Sequence, residues 1–276
     1  MGICIFDIET IPDIGLLRSF LGDQFDSSLS PIELCRLAFS VQTQRTNQGF
    51  LPMRLHQIIC ISAVICDDLL NVRKIGSFGR TLEMYDSNAI EKDVLEHFTG
   101  YLNAKTPKLV TFNGRNFDIP ALLLRSMIYN IQNPWYFDAQ SKGKSKWDNY
   151  RTRYSSSFSL DLLDELGNFG AAKFFKLNDI CNMLDLPGKY DLSGDLVHEI
   201  YFKPGDLRAN LDEINTYCQS DVLNTYLVLL RYEVLRGGLD IARYGELLDS
   251  FLEKIPRDKS YSKYFLDAVK GLRSKI

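Results

Sequence analysis

The sequence has little of what would mark a membrane, secreted or zinc-bearing protein. Its longest apolar runs, such as Ile58 to Cys66, fall far short of the ~20 residues that cross a bilayer. The N-terminus has no positive region leading into a long apolar core, so no secretory signal is expected. There is no C-x-x-C pair: Cys4, Cys35, Cys60, Cys66, Cys181 and Cys218 stand apart, mostly within apolar stretches. They read as reduced core residues of a cytoplasmic protein, not as a disulfide or zinc framework. Only three histidines occur, none paired at ligand spacing, which argues against a histidine metal site. Internal repeats and low-complexity tracts are absent. A net charge of −3 excludes the broad basic surface of a protein that coats nucleic acid non-specifically. An enzyme that handles a few nucleotides in a cleft remains compatible with it.

What is present is an ordinary globular balance, 45% hydrophobic and 24% charged over 276 residues, enough for one large domain or two modest ones. The chain opens on an apolar strand, Gly2 to Thr10, closed by Ile11-Pro12-Asp13. A short helix is expected over Ile14 to Leu21. Residues 22–53 then read as an excursion from the core, with a helical piece from Pro31 to Phe39 and a mobile loop around Gln42 to Gly49. His56 to Cys66 and Val72 to Phe78 predict a hairpin about Asp67-Asp68. Apolar residues at steps of three and four predict a helix over Ser87 to Leu102, before a strand over Lys108 to Phe112. Helices follow over Ile119 to Tyr129, Leu160 to Leu166, Lys176 to Met183 and Leu211 to Leu235. Between them, Gln132 to Ser157 interleaves Trp135, Tyr136, Trp147 and Tyr150 with Lys142, Lys144, Lys146, Arg151 and Arg153. It is either a solvated loop or a nucleotide-contacting flap. The order predicts an α/β domain with a mixed sheet, and residues 239–276 an appended helical element.

Three acidic patterns bear on chemistry. Asp7 and Glu9 are two apart on the opening strand and therefore share a face. Paired carboxylates on a buried strand repel and lose hydration, a cost that a divalent cation with oxygen ligands removes. Asp118, in Asn113-x-x-x-Phe117-Asp118, sits at a strand-to-helix junction, where it is either a helix cap or a site residue. Tyr217 and Asp221, four apart, project together from the last long helix.

Taken in order, these patterns resemble the DEDD superfamily of 3′–5′ exonucleases in its tyrosine-bearing (DEDDy) subclass. The chain is most similar to the predicted exonuclease family related to the proofreading domain of family B DNA polymerases. The stretches that carry the likeness are Phe6 to Pro12, Val110 to Asp118, Leu184 to Lys189 and Tyr217 to Tyr226. It covers about residues 3–236, and the segment before Met53 and the tail after Gly238 gain little from it. The resemblance implies a ribonuclease-H-like fold, with a 3′–5′ exonuclease domain over 1–238 and a helical extension over 239–276. It also implies two Mg²⁺ or Mn²⁺ ions held by Asp7, Glu9, Asp118 and Asp221, with Asp7 between them, and a water oriented by Tyr217. Among the matched motif residues, Asn113 either contacts the nucleotide or braces the site. Phe117 packs on the terminal base or, the preferred reading, fills the core. Thr10 contacts the 3′ end or caps the strand, while Asp161 reads as a helix cap rather than a ligand.

The expected activity is release of nucleotides from single-stranded or frayed DNA 3′ ends by two-metal phosphodiester hydrolysis. An RNA 3′-trimming enzyme of the same fold, or a module that binds nucleic acid without cutting it, are the alternatives. The sequence gives no sign of a membrane partner.

Overall fold

The computed structural model describes residues 1–79, 86–141, 143–172, 175–189 and 194–276. Strand β1 (Ile3–Pro12) is buried along most of its length, as a strand covered on both faces must be. Asp13 caps helix α1 (Ile14–Leu21), accepting from the Leu16 backbone N–H at 3.1 Å. Helix α2 (Pro31–Thr46) opens on a capping box between Ser30 and Glu33, with proline at its first position. It runs through Gln42 to Thr46, where polar composition suggested a loop. Leu34, Ala38 and Val41 explain the difference: they form one apolar stripe that packs on Leu17, Phe20 and Leu21 of α1. Asn47, with φ of 58°, ends the helix.

Strands β2 (His56–Cys66) and β3 (Val72–Ser77) form the expected hairpin. Its turn is held by Asp67, whose carboxylate accepts from the N–H groups of Leu69 and Asn71 at 3.0 and 2.9 Å. Helix α3 (Ser87–Lys105), strand β4 (Lys108–Thr111) and helix α4 (Asp118–Ile128) follow, close to their expected bounds. A single turn, α5 (Pro134–Phe137), opens the aromatic segment. Much of that segment is packed rather than offered to a ligand. Trp135 and Tyr150 are buried with rings 5.0 Å apart, and the Tyr150 hydroxyl donates to the Pro107 carbonyl at 2.6 Å. Lys144 is paired with Asp138 at 3.0 Å and Arg153 with Asp164 at 2.7 Å. Trp147, with Lys146 4.8 Å over its ring, and Phe137, with Arg151 5.7 Å over its ring, keep the exposed aromatic–cation character a flap requires. Lys142 lies outside the described residues.

Leu160, read as helical, instead belongs to strand β5 (Ser159–Asp161), and helix α6 (Leu162–Leu166) begins only after it. Three residues are too few to show a period-two pattern. Helix α7 (Leu177–Met183) and the short α8 (Val197–Tyr201) lead to α9 (Leu207–Leu235), which Asp206 starts four residues earlier than expected. Helices α10 (Ile241–Lys254) and α11 (Ser262–Arg273) close the chain. They add Tyr244, Leu248, Phe251 and Phe265 to the apolar cluster that holds Val222 and Tyr226 of α9.

The strands form one sheet in the order β3-β2-β1-β4-β5. β1 is central, antiparallel to β2 and parallel to β4, which stops level with the middle of β1 while β1 runs on to Pro12. Even-numbered residues of β1 face α3, with the Phe6 and Phe98 rings 4.9 Å apart. Odd-numbered residues face α9: Ile3 and Ile5 join its apolar cluster, and Asp7 and Glu9 continue the same face. This is the mixed, helix-flanked, ribonuclease-H-like arrangement that the resemblance implies. All six cysteines are buried and unpaired. No helix among the described residues is long and apolar enough to cross a membrane.

Candidate active site

Four carboxylates separated in sequence meet where β4 ends beside the middle of β1. Asp7 and Glu9 come from β1, beside a bulge: Glu9 lies opposite Cys60 and Thr10 opposite Ile58, leaving Ile59 unpaired. Asp118 opens α4, and its Oδ1 accepts from the Ile8 backbone N–H at 3.2 Å, which ties the helix start to β1. It is therefore both the first residue of a helix and a neighbour of Asp7. From the far side, α9 lays Cys218 against β1, its Sγ donating to the Asp7 carbonyl at 3.5 Å, and so brings in Tyr217 and Asp221. Tyr217 and Asp221 lie one turn apart on the same face of the helix, which sets the hydroxyl beside the carboxylate. The sequence-derived set Asp7, Glu9, Asp118, Tyr217 and Asp221 is thus brought together.

The electrostatics follow from that crowding. Burial, then the charges of Asp118, Glu9 and Asp221, push the Asp7 carboxyl well above its ordinary range. Glu9 rises likewise through burial and through Asp221. Burial pushes Asp118 up to about 7, against hydrogen bonds that lower it. Asp221 is pushed up to about 6 by burial, against the Tyr217 hydroxyl and the charge of Lys189. The Tyr217 phenol is raised further above its ordinary value by burial and by Asp221. Such a cluster is unfavourable as four anions and suited to hard divalent cations, which take oxygen ligands. Carboxylate oxygens of Asp7 and Glu9 and the Cys218 sulfur all lie within 4.8 Å of one another. Burial keeps that thiol protonated, so the carboxylates, not the sulfur, are the donors that fit Mg²⁺ or Mn²⁺.

The loop that delivers Asp118 is braced from β5. Asp161 caps α6 and also accepts from the N–H groups of Asn113 and Arg115, both at 2.9 Å. Asn113 takes a left-handed φ of 70°, and its side-chain oxygen accepts from Asn116 at 2.9 Å. At Gly114 a Cβ would meet the Thr111 side chain at 2.5 Å, so only glycine lets the loop turn this tightly.

A cleft of about 520 Å³ opens beside Glu9 and Thr10. Phe117 lines it, edge-on to His56 at 5.1 Å and to Phe50 at 5.4 Å, while Phe50 stacks on His56 at 4.8 Å. Thr10 and the Leu51 carbonyl engage the two nitrogens of His56, at 2.9 and 3.1 Å. Burial lowers the His56 pKa, which fits a neutral ring that donates to Leu51 and accepts from the Thr10 hydroxyl. The other wall brings Phe39 of α2 against His198 of α8, rings 4.8 Å apart. Arg36 and Glu199 tie these two helices by a paired hydrogen bond of 2.9 and 2.7 Å. Sequence reading missed Phe39, Phe50, His56 and His198. The exposed Phe50 beside a polar stretch was the available signal.

Comparison with known proteins places the arrangement. A family model described as "Predicted 3′-5′ exonuclease related to the exonuclease domain of PolB" matches residues 48–269. The match takes in Asn113, Phe117, Asp118, Tyr217, Asp221 and the C-terminal helices, and begins after β1. Curated protein sequences give no match. Among solved structures, the family B DNA polymerase from the hyperthermophilic archaeon Pyrobaculum calidifontis is similar at 14% identity and a TM-score of 0.51. That similarity covers 98% of this chain and 27% of the polymerase chain, and it speaks for a shared fold. With its family model matched over most of its length, the chain belongs to the predicted 3′–5′ exonucleases related to the exonuclease domain of PolB.

Proposed function

We propose that the chain is a divalent-metal-dependent 3′–5′ exonuclease that releases nucleotides from single-stranded or frayed DNA ends. The observation that carries this reading is the convergence of Asp7, Glu9, Asp118 and Asp221 from three distant parts of the sequence, with Tyr217 beside Asp221. These four carboxylates would hold two Mg²⁺ or Mn²⁺ ions, Asp7 lying between the other three acids. When bound, the cations neutralise charge at the scissile phosphate and acidify the attacking water. The protein's own part is placement. Tyr217, beside Asp221 and too weak an acid to ionise near neutrality, orients a water by hydrogen bonding and does not serve as a base. The aromatic faces of Phe50 and Phe117 offer a stacking surface that accepts any base. Thr10 lines the cleft beside Glu9, and with Asn113, fixed by Asn116, it would steady the terminal nucleotide.

The test compares one DNA strand labelled at its 5′ end with the same strand labelled at its 3′ end, in Mg²⁺, in Mn²⁺ and in chelator. A 3′ label released first as mononucleotide, a 5′ label that shortens stepwise, and no reaction in chelator are expected. Binding of the strand without cleavage in either cation would replace the reading with that of a binding module. The same strand made of RNA sets the sugar preference.

A further inference from the structure

The carboxylate cluster has soft donors built into one side of it. Cys218 of α9 faces Asp7, and its sulfur shares a 4.8 Å neighbourhood with one oxygen each of Asp7 and Glu9. Cys60, directly opposite Glu9 on β2, donates to Asn215 Oδ1 at 2.9 Å. One sulfur and two carboxylates thus border one point, and a second sulfur, that of Cys60, sits on the strand across from Glu9. A tetrahedral Zn²⁺-type ion binds sulfur at about 2.3 Å and carboxylate oxygen at about 2.0–2.2 Å, which sets its donors roughly 3.5 Å apart. Mg²⁺ has no use for a thiol and takes oxygen ligands only, whereas a softer cation gains from the sulfur and lies higher in the affinity order.

We propose that Cys218 with Asp7 and Glu9, backed by Cys60, forms a site for a thiophilic divalent cation of the Zn²⁺ or Cd²⁺ class, and that its occupation switches off the overlapping hard-cation site. Binding forms a metal–sulfur bond at Cys218 and releases the thiol proton to solvent. Asp7 and Glu9, drawn toward the sulfur side, are withdrawn from the arrangement that holds Mg²⁺ or Mn²⁺. The inhibitory consequence rests on the function proposed above; the site itself does not.

The experiment titrates the metal-free, full-length protein with Cd²⁺ and follows the thiolate-to-cadmium absorption band in the ultraviolet. One equivalent is expected to develop the band in the wild type, and Cys218→Ser, whose hydroxyl keeps the donor to the Asp7 carbonyl, is expected to lose it. Should Cys218→Ser fail to fold, Cys218→Ala takes its place. In Mg²⁺-driven cleavage, the Zn²⁺ concentration for half-inhibition is expected to rise at least ~10-fold in the variant, relative to its own zinc-free rate. Cadmium binding without the band, or a band that persists undiminished in both Cys218 variants, would overturn the proposal. A wild type that shows the band but cuts no strand would overturn the nuclease reading and leave the thiophilic site standing.

Discussion

Tyr217 and Asp221 lie on one face of α9, and the phenol can donate to the carboxylate but cannot lose its own proton near neutrality. Tyr217→Phe therefore keeps the ring and its packing and removes only the hydroxyl. Single-turnover cleavage is expected to slow by on the order of 10- to 100-fold while KM stays within about twofold, the pattern of a lost positioning contact. An equal rise in KM would make the hydroxyl a substrate-binding group instead. The carboxylates make a second prediction. Asp221 and Asp118, pushed up to about 6 and about 7, hold protons in the folded chain that the unfolded chain releases near pH 4. Their stabilising contribution is complete below about pH 4 and is lost as pH rises through 6 to 7. Metal-free protein should thus melt on the order of 5 °C lower at pH 8 than at pH 5, and Mn²⁺ should restore most of the difference at pH 8. A melting temperature that climbs from pH 5 to pH 8 in chelator would contradict the electrostatic account.

Among the elements, the connection from β4 to α4 depends most on a single side chain. Asp161 holds the backbone at Asn113 and Arg115 as well as the first turn of α6. Asp161→Ala should cost about 1–3 kcal/mol, read from denaturant melts, and lower cleavage more than stability, because the freed loop carries Asp118. A variant with native stability and native rate would show that the loop is held by other contacts. This dependence was only half legible in the sequence: Asp161 was readable as a cap, but its bonds to Asn113 and Arg115 span more than forty residues. The hairpin, α3, β4 and α4 were legible because their apolar periods are long and their caps local. α2 past Phe39 was hidden by polar residues on its outer face, and β5 by its brevity. The acids were legible from their order along the chain. The aromatic wall was not, since Phe39, Phe50, His56 and His198 meet only when α2 and α8 fold over β1.

At the scale of the whole molecule, α10 and α11 are part of the core that supports α9, and the family match likewise extends through them to residue 269. Phe251 of α10 is fully buried against Tyr226, with rings 5.0 Å apart, about one and a half turns along α9 from Asp221. Phe251→Ala should cost about 3–5 kcal/mol and lower the melting temperature, with the cleavage rate well below the melt little changed. Loss of rate without loss of stability would instead mean that the tail takes part in the chemistry. The account's central claim is that the acids gathered beside the end of β4 are the centre that cuts. The most direct measurement is the rate of mononucleotide release from a 5′-labelled single strand in Mg²⁺ or Mn²⁺, for wild type and for Asp7→Ala. The account predicts stepwise shortening from the 3′ end in the wild type and a loss of at least about 100-fold in Asp7→Ala. Cleavage that persists undiminished in Asp7→Ala would contradict it.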